Sequence, residues 1–188
     1  MITGAIMTKK TAWSNVEKAI ANLMREGALA SPRAMAAIGR RELAALIRPA
    51  GYYNIKAARL GNFLTFLKDG FGYSIDALAR LETVDLRGRL LGVNGIGPET
   101  CDSILLYAFR RPVFVVDAYT KRVFSRHGLF GEDPGYDLVQ EVFTRNLRRE
   151  RRLFNEYHAL IVRLAKERCR KRPLCAGCPL EGAKFACK

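Results

Sequence analysis

Apolar residues recur along most of the chain at intervals of three and four positions, the spacing that places side chains on one face of an α-helix. Within residues 15–24 the apolar positions are Val16, Ala19, Ile20 and Leu23. The same spacing predicts helices at residues 55–67, 74–81, 85–92, 98–109, 118–127, 136–147 and 151–168. Only residues 113–116 have the composition of a strand, and a single short strand forms no sheet by itself. The pattern therefore predicts an all-α fold of about ten short helices.

Composition narrows the class of protein. The 188 residues suffice for one ordinary domain or two small ones, and 49% hydrophobic with 27% charged residues excludes an intrinsically disordered chain. Lys and Arg number 32 against 18 Asp and Glu, which gives a formal net charge of +14. This excess favours a polyanionic partner, nucleic acid first and an acidic membrane surface second. No apolar run has the length of a membrane span and no signal peptide precedes Lys9 and Lys10, so we expect a soluble intracellular protein.

Four of the five cysteines lie in the last 20 residues, at Cys169, Cys175, Cys178 and Cys187, whereas Cys101 stands alone. Intracellular thiols stay reduced, so clustered cysteines indicate metal ligands rather than disulfides. Zinc sites usually combine two close pairs, and here single cysteines flank one close pair. The spacing alone leaves zinc and an iron–sulfur cluster open.

Residues 94–97, Asn-Gly-Ile-Gly, lie between two predicted helices and precede Pro98. Two glycines allow backbone conformations closed to other residues and a close approach of phosphate, while Ile96 between them is expected to point inward. Pro98 suits the first helical position, where free N–H groups can bind an anion. Such a hairpin would hold one DNA phosphate without reading sequence.

Asp117 follows the apolar run and precedes the predicted helix at 118–127. One interpretation is a helix N-cap, worth about 1 kcal/mol and needing no further function. The other is a catalytic carboxylate, kept ionised by the helix dipole and able to stabilise a positively charged sugar. The two interpretations are compatible.

Taken together, the hairpin with its flanking helices at 86–109, the run at 112–117, the segment at 51–57 and the four-cysteine tail resemble the endonuclease III, or helix-hairpin-helix (HhH-GPD), superfamily of DNA glycosylases. The resemblance covers essentially the whole chain. It implies a two-lobed, all-α fold: a helical barrel domain at 1–110 that carries the hairpin motif, and a second lobe at 111–188 that ends in an iron–sulfur cluster loop at 169–187.

The same resemblance implies site residues and partners. Asp117 would be catalytic, and Cys169, Cys175, Cys178 and Cys187 would bind a [4Fe–4S] cluster. The partner would be double-stranded DNA, and neither a membrane nor an obligate protein partner is expected. The protein would be a monomer in the cytoplasm, associated with the nucleoid. The expected DNA contacts are Lys9, Lys10, Asn94, Gly95, Ile96, Gly97 and Thr100.

Glu99 stands where endonuclease III has the lysine that attacks the sugar, and a carboxylate cannot form that imine. Water would then be the nucleophile, and the enzyme would be monofunctional. Glu99, with residues 11–18 and 51–54, resembles the 3-methyladenine glycosylase branch, which removes alkylated purines. In that branch Trp13, Glu99 and Tyr53 would line the base pocket. The alternatives are a core or helix-face aromatic for Trp13, packing for Tyr53, and a favourable first-turn acid for Glu99.

Two departures from the family concern the start of the chain, which resembles the middle of a family helix, and Lys9–Lys10. Relatives usually have amides there, which fill the space left by the flipped nucleotide; two lysines would bind phosphate instead. Rival functions are a glycosylase for uracil or thymine mismatches or for oxidised pyrimidines, a non-enzymatic hairpin-motif DNA-binding protein, and a zinc-bound transcriptional regulator.

Overall fold

The computed structural model describes residues 1–183, and the chain divides into two compact units, Met1–Phe109 and Arg110–Lys188. The first unit contains eight α-helices and two shorter helical turns. In chain order they are α1 (Ile2–Met7), α2 (Trp13–Arg25), α3 (Pro32–Ala37), α4 (Arg40–Leu46), a 3-10 turn (Arg48–Ala50), α5 (Tyr53–Phe71), α6 (Ile75–Ala79), α7 (Thr83–Leu91), α8 (Pro98–Ser103) and a π-helical turn (Ile104–Ala108).

The long helix α5 organises the first unit. It packs against α1, α3, α4, α6 and the 3-10 turn, and its buried side chains include Leu60, Phe63 and Leu67. The helix ends where Gly72 adopts the left-handed conformation at φ 56°, a conformation that glycine allows at little cost. Two of its side chains, Arg59 and Asn62, contact the loop between α7 and α8.

The second unit contains α9 (Ala118–Arg126), α10 (Tyr136–Asn146) and α11 (Arg151–Glu167). Its aromatic core centres on Phe114, which stacks on Phe143 with ring centroids 4.3 Å apart and meets the edge of Phe154 at 5.5 Å. Phe114 belongs to the apolar run at 113–116, all of which is buried. That run therefore anchors the start of α9.

The buried run is extended but pairs with no strand in the described part of the chain. Side chains of α10 replace the missing ladder: Gln140 Nε2 donates to the Phe114 carbonyl at 2.7 Å, and the Val116 N–H donates to the Tyr136 hydroxyl at 3.4 Å. A buried backbone group without a partner is costly, so these contacts let an extended segment cross a helical core.

The all-α prediction is confirmed over residues 1–183, and 113–116 is not a strand. The helices that the periodicity did not predict, α1, α3 and α4, contain only 6, 6 and 7 residues, too few to show a clear period. The helix predicted at 98–109 changes from α to π geometry at Ile104. In the described residues no helix is long and apolar enough to span a membrane.

Candidate functional site

The hairpin between α7 and α8 uses its two glycines differently. Gly95 has φ +94°, and a Cβ atom built there would lie 2.4 Å from Cγ of Arg59 on α5. Gly97 has φ −90° and ψ 177°, an ordinary extended conformation, and a Cβ there would meet nothing within 4 Å. Gly95 therefore uses the conformational freedom of glycine, and Gly97 does not. Its lack of a side chain leaves open space beside the backbone instead.

The hairpin is fixed from inside and from α5. Ile96 is only 3% exposed, and its N–H donates to the Val93 carbonyl at 3.0 Å. Asn62 Nδ2 of α5 donates to the Asn94 carbonyl at 3.0 Å. The N–H groups of Gly95 and Gly97 have no acceptor among the described residues. The loop is thus held rigidly while two backbone donors stay available to a ligand.

A buried ion pair joins the two helices of the hairpin motif, and the sequence reasoning missed it. Asp102 is fully buried and accepts two hydrogen bonds from Arg87 of α7, from Nε at 2.8 Å and from Nη2 at 3.1 Å. Beside it, burial and the nearby Asp102 carboxylate raise the pKa of Cys101 to about 12. An acid within a predicted apolar helix face was the available signal, because a buried charge needs a partner.

The predicted base-pocket residues lie on three helices of the first unit. Trp13 opens α2, is 47% exposed, and donates from Nε1 to Glu17 at 2.9 Å while its ring faces Gly4. This exposure excludes the core alternative and leaves a helix-face aromatic or a base-pocket residue. Tyr53 opens α5 and is half-buried. Glu99 lies in the first turn of α8, also half-buried.

The remaining predicted DNA contacts are surface positions or lie in α8. Lys9 and Lys10 are exposed in the turn between α1 and α2, where Lys10 has φ 56°. Asn94 is exposed at the hairpin, and Thr100 is half-buried in α8. The two lysines place two positive charges on the surface beside Trp13.

In the second unit Asp117 is the N-cap of α9. Its Oδ1 accepts from the Thr120 N–H at 2.7 Å and from the Thr120 hydroxyl at 2.9 Å. Its Oδ2 lies 3.5 Å from Nε2 of His158 on α11, and the side chain is only 11% exposed. The cap interpretation is therefore correct as far as the local structure goes, and one carboxylate oxygen remains outside the cap.

Opposing effects set the ionisation of Asp117. Burial, the largest effect, favours the neutral acid, but the contact with His158 and the hydrogen bonds from Thr120 favour the anion and lower the pKa of Asp117 below its usual value. A carboxylate that is both buried and ionised is able to stabilise a nearby cation strongly, because little water screens it.

Sequence reasoning assigned no role to His158. In α11 the buried residues Phe154, Ile161 and Ala165 form one stripe, and His158 occupies the same stripe. A histidine at an apolar position of a periodic helix was the signal that could have identified it.

The predicted metal ligands are only partly described, since Cys187 lies outside residues 1–183. Cys169 is buried, Cys175 is exposed and Cys178 is intermediate, and all three line one cavity of about 610 Å³. Arg126 of α9 donates from Nη1 to Cys169 Sγ at 3.3 Å. No set of three or more His, Cys, Asp or Glu side chains in the described part converges as a metal site.

Helix α9 also holds the backbone of the cysteine loop. Arg122 donates to the carbonyls of Cys169 at 2.9 Å and Ala165 at 3.0 Å, and Arg126 donates to Lys171 at 3.0 Å. His127, to which no role was assigned, contacts the Ala183 carbonyl through Nδ1 at 2.7 Å. The sequence offered one signal for these contacts, the i, i+4 spacing of the two arginines on α9.

Known proteins resemble this chain over most of its length. The HhH-GPD superfamily model, that of a base excision DNA repair protein, matches residues 3–149. The Methanocaldococcus jannaschii protein named "Putative DNA repair glycosylase MJ1434" is 47% identical over 182 residues, 96% of this chain and 82% of that protein. The structure of H. pylori 3-methyladenine DNA glycosylase (MagIII) bound to 1,N6-ethenoadenine has a TM-score of 0.77 at 27% identity, covering 88% of this chain and 83% of that chain.

A non-covalent endonuclease III–DNA complex shares the fold, with a TM-score of 0.82 at 21% identity over 97% of this chain and 80% of that one. The superfamily resemblance drawn from the sequence motifs is thereby confirmed. Since the superfamily model matches well over half of the residues, the chain belongs to the HhH-GPD superfamily of base excision DNA repair proteins.

Proposed function

We propose that this DNA glycosylase of base excision repair is monofunctional, and that it hydrolyses the bond between an alkylated purine and its sugar in double-stranded DNA. The observation that carries the proposal is Asp117: a nearly buried, ionised carboxylate fixed at the start of α9. Breaking the bond leaves a sugar with oxocarbenium character. The Asp117 anion stabilises this cation and orients the water that attacks it.

DNA binding is supported by the charge of the whole chain and, in the first unit, by free backbone donors. The chain has a net charge of +14, and the Gly95 and Gly97 N–H groups have no acceptor among the described residues. These two donors hold one phosphate, and Lys9 and Lys10 hold others. Phosphate contacts position the duplex and leave base selection to a pocket.

Hydrolysis rather than strand cleavage is supported by Glu99, at the position of the lyase lysine. A lyase nucleophile is a lysine with a lowered pKa, and burial and the charge of Arg59 lower the pKa of Lys56. Its Nζ is buried and donates to the Ala50 carbonyl at 2.7 Å. That amine is engaged in holding the turn before α5, and with a carboxylate at the position of the lyase lysine we infer that water is the nucleophile.

An alkylated purine is supported by two features. An alkylated base carries positive charge, so it leaves easily and is attracted to an electron-rich ring. Trp13 supplies such a ring, with its indole N–H already bound to Glu17 at 2.9 Å. The H. pylori relative, at 27% identity, is a 3-methyladenine DNA glycosylase. We infer that Trp13, with Tyr53 and Glu99, contributes to the base pocket.

We further infer that Cys169, Cys175, Cys178 and Cys187 ligate a [4Fe–4S] cluster. Three of them line one cavity, and Arg126 donates from Nη1 to Cys169 Sγ at 3.3 Å. When bound, the cluster supplies covalent cross-links that fix the loop. Iron and sulfide analysis, together with an absorbance band at about 400 nm, tests this inference. Cys175→Ser should lose the signal and Cys101→Ala should keep it, whereas colourless protein with stoichiometric zinc would contradict it.

The activity is tested on duplex DNA carrying one alkylated purine, run on denaturing gels before and after hot alkali. We expect strand cuts only after alkali, and a roughly 10²- to 10³-fold slower reaction with Asp117→Asn. Asp133→Asn is the matched control, because Asp133 is 96% exposed in the same unit.

Each other outcome contradicts a definite part of the proposal. Cuts without alkali, with borohydride trapping of the protein on DNA, would show an amine nucleophile. Release of a different base from a panel of uracil, mismatched thymine and oxidised pyrimidines would correct the substrate. Tight binding with no base released from any duplex would indicate a binding protein.

A further inference from the structure

The two oxygens of the Asp117 carboxylate have different partners. Thr120, on the same helix, supplies both contacts to Oδ1, at 2.7 and 2.9 Å. His158 faces Oδ2 at 3.5 Å from α11. Thr120 can fix the position of Oδ1, but the carboxylate can still rotate about the line to that oxygen. A contact from a second helix at Oδ2 opposes this rotation.

His158 sits where packing would favour an apolar residue. Phe154 and Ile161, on the same stripe of α11, are buried, and α11 packs against α9. The His158 side chain is 17% exposed. A polar ring in such a stripe loses hydration, and a hydrogen-bonding or charged partner offsets that loss. Asp117 Oδ2, at 3.5 Å from Nε2, supplies such a charge.

We propose that His158 is a positioning residue for base excision: its Nε2 fixes the orientation of the Asp117 carboxylate toward the reacting sugar. This inference rests on the function proposed above. The groups acting on the carboxylate in the described residues are Thr120 of α9 and His158 of α11, while Tyr136 of α10 contacts the backbone of the preceding Val116. The positively charged side chains nearby on α9 are Lys121 and Arg122. Lys121 pairs with Asp133, and Arg122 donates to the carbonyls of Cys169 and Ala165.

Two substitutions separate positioning from packing. His158→Phe retains an aromatic ring suited to the apolar stripe but removes the polar contact, whereas His158→Gln retains a donor near the position of Nε2. Glu156→Gln, at an exposed position of α11, is the control. Thermal unfolding identifies any variant that fails to fold.

The first readout is the single-turnover excision rate on DNA with an alkylated purine, beside affinity for duplex DNA with an abasic-site analogue. We expect His158→Phe to slow excision roughly 10- to 100-fold, the effect of losing one polar contact to a charged group, with affinity unchanged. His158→Gln should restore most of the rate. Equal rates for wild type and a folded His158→Phe would overturn the proposal.

The second readout does not depend on activity. Since His158 lowers the pKa of Asp117, a ¹³C NMR titration of the Asp117 carboxyl should give a higher pKa in His158→Phe, and the acid limb of the excision profile should move to higher pH with it. An unchanged carboxyl titration would overturn the proposal even if the enzyme proved inactive on alkylated DNA. Absence of excision by wild type, with the titration shifted, would refute only the proposed substrate or reaction.

Discussion

The two hairpin glycines allow a prediction in which stability and DNA binding change in opposite directions. We compare Gly95→Ala with Gly97→Ala, the same change two residues apart. At Gly95 the backbone has φ +94°, and the new methyl group would lie 2.4 Å from Arg59 Cγ. A left-handed conformation costs a non-glycine residue about 1–2 kcal/mol, and displacement of Arg59 adds to this. We expect Gly95→Ala to lower the free energy of unfolding by about 2 kcal/mol.

At Gly97 the physical situation differs. Its backbone, with φ −90° and ψ 177°, suits alanine, and the methyl group would meet no atom within 4 Å. Loss of freedom in the unfolded chain should raise the free energy of unfolding by about 0.4–1 kcal/mol. The same methyl group, however, occupies space that a phosphate needs to reach the Gly97 N–H. A hydrogen bond to a charged group contributes about 1.5–3 kcal/mol, so DNA affinity should fall roughly 10-fold or more.

Urea denaturation followed by circular dichroism measures the first quantity, and fluorescence polarisation with a labelled duplex at fixed salt measures the second. A Gly97→Ala protein that is stable yet binds DNA as wild type does would refute the assignment of a phosphate to this hairpin. A Gly97→Ala protein as unstable as Gly95→Ala would refute the backbone reasoning itself.

Three further predictions concern buried ionisable groups. Arg87→Ala leaves the Asp102 carboxylate buried without its bidentate partner, which should lower the free energy of unfolding by about 3–5 kcal/mol in urea denaturation. An exposed control, Arg41→Ala, should lower it by under about 0.5 kcal/mol. A loss below about 1 kcal/mol in Arg87→Ala would contradict a stabilising role for the pair. Cys101, with a pKa of about 12, should react with iodoacetamide at pH 8 only after unfolding, as mass spectrometry of peptides would show; reaction in the native state would contradict its burial. The pKa of Asp117 is lowered in the folded state, so its stabilising effect is fully present above the unfolded pKa of about 4 and is lost as pH falls through the folded pKa. The difference in unfolding free energy between wild type and Asp117→Asn should therefore shrink in acid. A difference that stays constant with pH would contradict this.

Periodicity predicted the long helices because each buries one continuous stripe, as the apolar positions of α2 and α5 show. It could not predict α1, α3 and α4, which are short and depend on packing against their neighbours. Nor could it show the change to π geometry after Ser103, since apolar residues at helical spacing fit both forms. Local pattern thus determined fold class, and tertiary contacts determined where the short elements begin and end.

The site divides in the same way. Asp117 could be predicted because an acid between an apolar run and a helix is a local feature, visible in the spacing. Its partner His158 lies 41 residues later, on a helix whose pattern assigns that position to the core. A local pattern records which face a residue occupies, but it does not record what that face meets. Gly97 is a further case, because the sequence shows a glycine but not whether conformation or access requires it.

Polar side chains within apolar helix faces connect the fold of the second unit to the position of Asp117. Gln140 of α10 holds the extended run through the Phe114 carbonyl, and His158 of α11 faces the carboxylate. Each would lower stability if left without a partner, so each contributes only in the arrangement that brings all three helices together. The position of Asp117 therefore depends on α10 and α11 as well as on its own helix. Substitution at such polar positions should impair excision before it impairs folding, whereas substitution of Phe114, at the centre of the aromatic core, should do the reverse.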